Sequence, residues 1–184
     1  MVYIGLDIGS TATKTAVLNA EKTSVLRTVA IPTGWDSRQT AQQIREDMHK
    51  NGYDPEDAVY TANGYGRVSV DFADRVLTEI TCHAKGASFL FGQDATVIDI
   101  GGQDTKIITM KNGQVLDFMM NDKCSAGTGR FLEIMAATLG VGLDEMFALA
   151  KTGNEVQISS MCTVFAESEV ISLIGKGTPK ADIA

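Results

Sequence analysis

Apolar side chains occupy every second position from Val2 to Ile8, and a second run of β-branched residues, Ala95 to Ile100, likewise ends in a short glycine-bearing polar stretch. Alternation with a period of two marks a half-buried strand. Lys14 to Leu18 and Lys106 to Met110 read as the returning strands. Val25 to Ile31 and Gln114 to Met120 follow as third strands, the latter across a tight Asn112-Gly113 hairpin. Helical spacing takes over between them. Ser37 is expected to cap a helix with Ala41, Ile44 and Met48 on one face and a stop at Asn51-Gly52. Ala58 to Asn63 resumes as a strand and runs into the loop Gly64-Tyr65-Gly66-Arg67; Glu79 to Phe91 is helical. Further on, Arg130 to Leu139, Asp144 to Lys151 and Val164 to Ile174 carry helical patterns, with a short strand expected at Val156 to Ser159. Trp35 and the Met119-Met120 pair read as core or edge packing residues.

The two hairpin tips repeat one another. Asp7-Ile8-Gly9-Ser10-Thr11-Ala12-Thr13-Lys14 and Asp99-Ile100-Gly101-Gly102-Gln103-Asp104-Thr105-Lys106 agree at five of eight positions, 92 residues apart. A single such octapeptide is no more than a strand ending in a turn. Two, each on a hairpin with a third strand after it, indicate a duplicated β-β-β-α unit. An α/β chain is therefore expected, divided into units at 1–93 and 94–184, with the second incomplete where the sequence stops at Ala184.

Composition narrows the function classes. With 184 residues, 44% hydrophobic and 21% charged, the chain is globular, and a net charge of −7 with scattered Lys and Arg argues against nucleic acid or an anionic membrane surface. There is no run of about 18 apolar residues, and Asp7 interrupts the start too early for a signal peptide, which points to the cytoplasm. Three cysteines without close pairing suit a reducing compartment, so a special cysteine would be catalytic or metal-bound.

Small residues at both tips let backbone N–H groups approach a polyphosphate from two sides of a cleft. Asp7 and Asp99 end the first strand of each half, suited to holding Mg²⁺ through water or orienting an attacking water, and Gln103 is a second candidate for placing that water. The stretch Asn121-Asp122-Lys123-Cys124-Ser125-Ala126-Gly127-Thr128-Gly129-Arg130-Phe131 sets a thiol and a glycine-rich bend at an expected helix N-terminus, where phosphate, a thiolate or a thiolate-bound cluster would each be favoured. Cys162 also precedes a helix. On spacing alone, 38 residues apart and with no C-x-x-C, Cys124 and Cys162 read equally as packing thiols or as ligands. As ligands, two thiolates complete a four-cysteine site only in a two-fold dimer. Cys82 and His83 read as packing residues inside a helix, with His83 as a ligand left open.

The chain resembles the ATP-dependent activators of 2-hydroxyacyl-CoA dehydratases, a group that includes the ATPase subunits of benzoyl-CoA reductase. The resemblance is carried by both octapeptides, by Gly64-Tyr65-Gly66-Arg67, by Asn121-Asp122-Lys123-Cys124 with Gly127-Thr128-Gly129-Arg130-Phe131, and by Cys162-Thr163-Val164-Phe165-Ala166-Glu167-Ser168-Glu169. It implies a duplicated ribonuclease H-like (actin-like ATPase) fold, and a homodimer bridging one 4Fe-4S cluster through Cys124 and Cys162 of both chains. It further implies ATP with Mg²⁺ as cofactors, a ferredoxin or flavodoxin-type donor, and a 2-hydroxyacyl-CoA dehydratase that receives the electron. Ser10, Thr11, Ala12, Thr13, Lys14 and Gln103 would then contact nucleotide, beside Gly101 and Gly102, while Gly127, Thr128 and Gly129 would join the two sites as a hinge. Members of the group continue beyond the match to Ala184 with more helix and a glycine-rich adenosine-binding segment, so a truncated second unit is expected. Two other readings stay open: a small-molecule kinase of the same superfamily with Asp99 as base, and a non-enzymatic actin-like nucleotide-binding scaffold.

Overall fold

A computed structural model of the chain describes residues 1–184 except Asp54 and Asp122, together with the side chain of Pro55. Asp122, part of the cysteine-bearing motif, thus lies outside the described residues. The fold is mixed α/β. Its contacts divide the chain into two compact units, Met1–Ala95 with Thr109–Asp117 and Thr96–Ile108 with Phe118–Ala184.

In the first unit, β1 (Val2–Ile8), β2 (Ala12–Leu18), β3 (Val25–Pro32), β4 (Ala58–Asn63) and β5 (Arg75–Val76) form one sheet in the order β3-β2-β1-β4-β5. The first three make an antiparallel meander, and β4 returns parallel to β1 after crossing through α1 (Ser37–Lys50). Alternation along β1 decides which face is covered: Ile4, Leu6 and Ile8 point together into a core with Val17, Tyr60 and Ala62, and α1 adds Ala41, Ile44 and Met48 at helical spacing. A side chain of this kind contributes about 1.5–3 kcal/mol when fully buried. The cap of α1 is Asp36 rather than Ser37, because the Asp36 carboxylate accepts from the amides of Arg38 and Gln39 across an extended backbone. α2 (Glu79–Phe91), capped by Thr78, buries Ala84 and Ala87.

The remaining strands, β6 (Ala95–Ile100), β7 (Thr105–Lys111) and β8 (Gln114–Asn121), lie side by side in chain order. Asn112 and Gly113 turn the β7–β8 hairpin with φ of 52° and 68°, the left-handed pair a two-residue turn demands. α3 (Gly129–Leu139), α4 (Leu143–Ala150), α5 (Thr163–Gly175) and α6 (Lys180–Ile183) pack around Met135, Ala136, Leu139, Met146, Ala166, Val170 and Ile183.

Three further expectations are corrected. Residues 156–159 form no strand; the Ser159 amide instead donates to the Glu169 carboxylate at 2.6 Å, spending the group a ladder would use. Trp35 is fully exposed. Met119 and Met120 are exposed as well, along with every other position of β8, so neither face of that strand packs inward. No helix among the described residues is long and apolar enough to cross a membrane.

The loop after β4 supplies a stability test. Gly64 has φ of +82°, and a methyl group there would lie 2.5 Å from the Ile8 carbonyl oxygen, whereas Gly34, at φ of +68°, faces open space. Gly64→Ala is expected to lower stability by about 3 kcal/mol and Gly34→Ala by about 1 kcal/mol. Urea midpoints check both; equal shifts would contradict the close approach of this loop to β1.

Candidate functional site

The first tip, between β1 and β2, is held from beneath by threonines. Thr33 Oγ1 donates to the Gly9 carbonyl at 2.7 Å and the Thr33 amide to the Thr11 carbonyl at 3.0 Å. With its own proton so used, Thr33 Oγ1 accepts from Thr13 Oγ1 at 2.8 Å. Thr13 is therefore fully buried under the tip, while Ser10, Thr11 and Lys14 are exposed and Ala12 is half-buried. Lys14 pairs with Asp7 at 3.2 Å. With the Asn63 amide turned to satisfy both its ends, its nitrogen donates to Leu6 O at 3.0 Å and to Asp7 Oδ1 at 3.1 Å. The Gly66 amide donates to Ile8 O at 2.9 Å, which seats the Gly64-Tyr65-Gly66-Arg67 loop beside Asp7.

The second tip, between β6 and β7, shares the backbone turn but has an ionic base. Gly101 N donates to Asp104 O at 2.8 Å, and Gly102 and Gln103 stand exposed. Below them Lys106, 1% exposed, hydrogen bonds to the buried Asp104 and lies 3.6 Å from Asp99. A lysine so deep needs such partners. Sequence reasoning missed this role of Asp104 and Lys106, because the shared Thr-Lys ending makes Lys106 look like the exposed Lys14. The two tips belong to different compact units.

Cys124 and Cys162, both free and half-buried, lie in the same unit as the second tip. Thr105 Oγ1 donates to Gly127 O at 2.5 Å, and the amides of Gly129 and Arg130 donate to Gly101 O and Gly102 O, each at 2.9 Å. The first turn of α3 is thus bonded to the tip. Thr128, whose amide and hydroxyl both donate to Ser125 O, tightens the bend, and the Asn121 side chain donates to the carbonyls of Cys124 and Ala126. The amides of Thr128 and Gly129 are engaged within the chain. On the far side of the bend, Ser125 Oγ and Thr163 Oγ1 meet at 2.6 Å, beside the two cysteines. In the sequence the pair is marked only by each residue's place directly after a cysteine.

Cys82 differs. It sits on α2 next to Asn63 and Asp7; burial pushes its thiol up, and the Asp7 and Glu79 carboxylates add to the rise.

Residues 4–184 match the BadF/BadG/BcrA/BcrD ATPase family. The chain belongs to that family. Among its relatives, the (R)-2-hydroxyglutaryl-CoA dehydratase activating ATPase of Acidaminococcus fermentans is 49% identical over 184 residues, covering 98% of this chain and 70% of the relative. The crystal structure of the A. fermentans (R)-2-hydroxyglutaryl-CoA dehydratase component A matches with a TM-score of 0.91 at 44% identity, over all of this chain and 71% of that one. The activator of the 2-hydroxyisocaproyl-CoA dehydratase from Clostridium difficile, solved with bound ADPNP, matches with a TM-score of 0.88 at 41% identity, over all of this chain and 69% of that one. Family membership makes the chain one of a group of ATPases.

Two outcomes are expected from this geometry. Cys82 should be alkylated by iodoacetamide only at higher pH than an unstructured cysteine, since the thiolate is the reactive form; mass spectrometry of the modified peptides follows it, and an ordinary thiol profile would contradict the burial. Lys106→Met should cost about 3–5 kcal/mol by stranding the buried Asp104 carboxylate, measured by urea unfolding, whereas Lys14→Met, at an exposed pair, should cost about 1 kcal/mol or less.

Proposed function

We propose that this chain is an ATP-hydrolysing activator that delivers a low-potential electron to a 2-hydroxyacyl-CoA dehydratase. It works as a homodimer in which Cys124 and Cys162 of both copies hold one 4Fe-4S cluster, recharged by a ferredoxin or flavodoxin-type donor. The observation that carries this reading is the hydrogen-bonded bend from Thr105, Gly101 and Gly102 through Gly127, Gly129 and Arg130 to the Ser125–Thr163 pair, which links a phosphate-type tip to both thiols inside one unit. The reading includes two ribonuclease H-like units, 1–93 and 94–184, and is supported by the side-by-side order of β1-β2-β3 and of β6-β7-β8.

The residues fit the groups the reading requires. Gly9 and Gly101 allow each tip to close tightly, because a methyl group on either would meet a tip carbonyl, Ala12 O at 2.6 Å or Asp104 O at 2.9 Å, and the small residues beyond them suit a backbone offered to phosphates. Asp7 and Asp99 offer hard oxygen donors for Mg²⁺. Exposed Gln103 orients the attacking water, and Ser10, Thr11 and Lys14 contact the nucleotide with their side chains, Ala12 and buried Thr13 through the backbone. Cys124 and Cys162 supply free thiols ahead of α3 and α5, with Gly127, Thr128 and Gly129 as the hinge between the sites. When bound, a 4Fe-4S cluster supplies one-electron chemistry whose potential its thiolates and surroundings set. Met161, Val164 and Phe165 flank Cys162 as exposed apolar side chains, which suits a face covered by a second copy.

An anaerobic preparation tests the reading. A brown protein absorbing broadly near ~400 nm, with about four irons per dimer, is expected; Cys124→Ser and Cys162→Ser should lose the iron and Cys82→Ser keep it. A colourless protein without iron after reconstitution sinks the proposal. Gln103→Ala should lower the ATPase kcat roughly a hundredfold with nucleotide affinity little changed, as turnover and equilibrium binding would register.

A further inference from the structure

We propose that Ser125 and Thr163 form a latch that fixes the spacing of Cys124 and Cys162, making them positioning residues for the two thiols. This rests on the reading of those thiols as ligands. Each hydroxyl belongs to the residue immediately after its cysteine, and the two oxygens lie 2.6 Å apart in a part-buried setting, at the short end for an O–H···O bond. Thr163 is 7% exposed, so solvent competes little for its hydroxyl. The two thiols stand 38 residues apart and share no local turn. Backbone geometry that holds a C-x-x-C pair is absent between them, and a contact across space has to replace it.

Each side of the latch is anchored on its own. On the Cys124 side, Asn121 Nδ2 donates to Cys124 O at 3.1 Å and to Ala126 O at 3.0 Å, and Thr128 Oγ1 donates to Ser125 O at 2.6 Å. On the Cys162 side, Cys162 is the extended N-cap of α5, its carbonyl accepts from Ala166 N at 3.1 Å, and its thiol makes no capping bond. The Ser125–Thr163 bond therefore joins two stiff segments through their side chains and leaves both sulfurs unspent. Outer partners of this kind commonly change metal affinity by about 10–100-fold when removed.

The test uses the full chain in a Cys82→Ser background and compares Ser125→Ala, Thr163→Val, the double variant and Thr163→Ser. Iron release to a chelator after anaerobic reconstitution is one readout. Bridging of the metal-free Cys124 and Cys162 by a short bis-maleimide, followed by mass spectrometry, is the other. Loss of either hydroxyl should speed iron release about tenfold and slow bridging. The double variant should be no worse than the worse single one, and Thr163→Ser should restore wild-type behaviour. Wild-type rates in both singles, or effects that multiply in the double variant as independent packing losses would, overturn the latch. If the parent chain takes up no iron the ligand reading falls, while the bridging rates still decide the latch. Should Thr163→Val not fold, Ser125→Ala and Thr163→Ser give the same decision.

Discussion

The first turn of an α-helix carries N–H groups with no partner inside the helix, and where they are satisfied fixes how the helix is held. In α3 the amides of Gly129 and Arg130 reach the carbonyls of Gly101 and Gly102, the glycines of the second tip. The positive end of the helix thus meets the carbonyl oxygens of that turn. Thr105 adds a side-chain bond to the Gly127 carbonyl. A movement of this tip must carry the first turn of α3 with it or break these bonds, and the bend bearing Cys124 lies directly upstream.

The same turn is stabilised by different chemistry in the two octapeptides. In the first, Thr13 and Thr33 make a neutral chain of hydroxyls that ends on the Gly9 carbonyl. In the second, Asp104 stands where the first has Ala12, and it draws Lys106 into the interior. Lys14, its counterpart in the first, remains exposed at Asp7. A neutral base tolerates change in small steps, whereas the ionic one loses both carboxylate partners at once if the amine is removed.

Much of this was legible from the residues. The period-two runs gave the strands of both meanders, Asn112-Gly113 gave the turn between β7 and β8, and the repeated octapeptides marked the tips. What escaped was set by contacts distant in sequence. Residues 156–159 have strand-like composition, but the Glu169 carboxylate, ten residues beyond Ser159, takes the Ser159 amide. Cys82 looks like any helical cysteine until Asn63 and Asp7 come beside it. Ser125 and Thr163 are ordinary polar residues in the sequence, and their meeting depends on how α3 and α5 pack around Ala136, Ala166 and Val170. The interior position of Lys106 was hidden by its likeness to Lys14, because identical letters fold onto unequal surroundings.

The base of the second tip also has an electrostatic consequence. Asp99 and Asp104 against Lys106 leave a formal charge of minus one, whereas Asp7 against Lys14 leaves none. Two tips that share five of eight residues therefore carry unequal charge. The inequality gives a duplicated motif a polarity that its shared letters do not display.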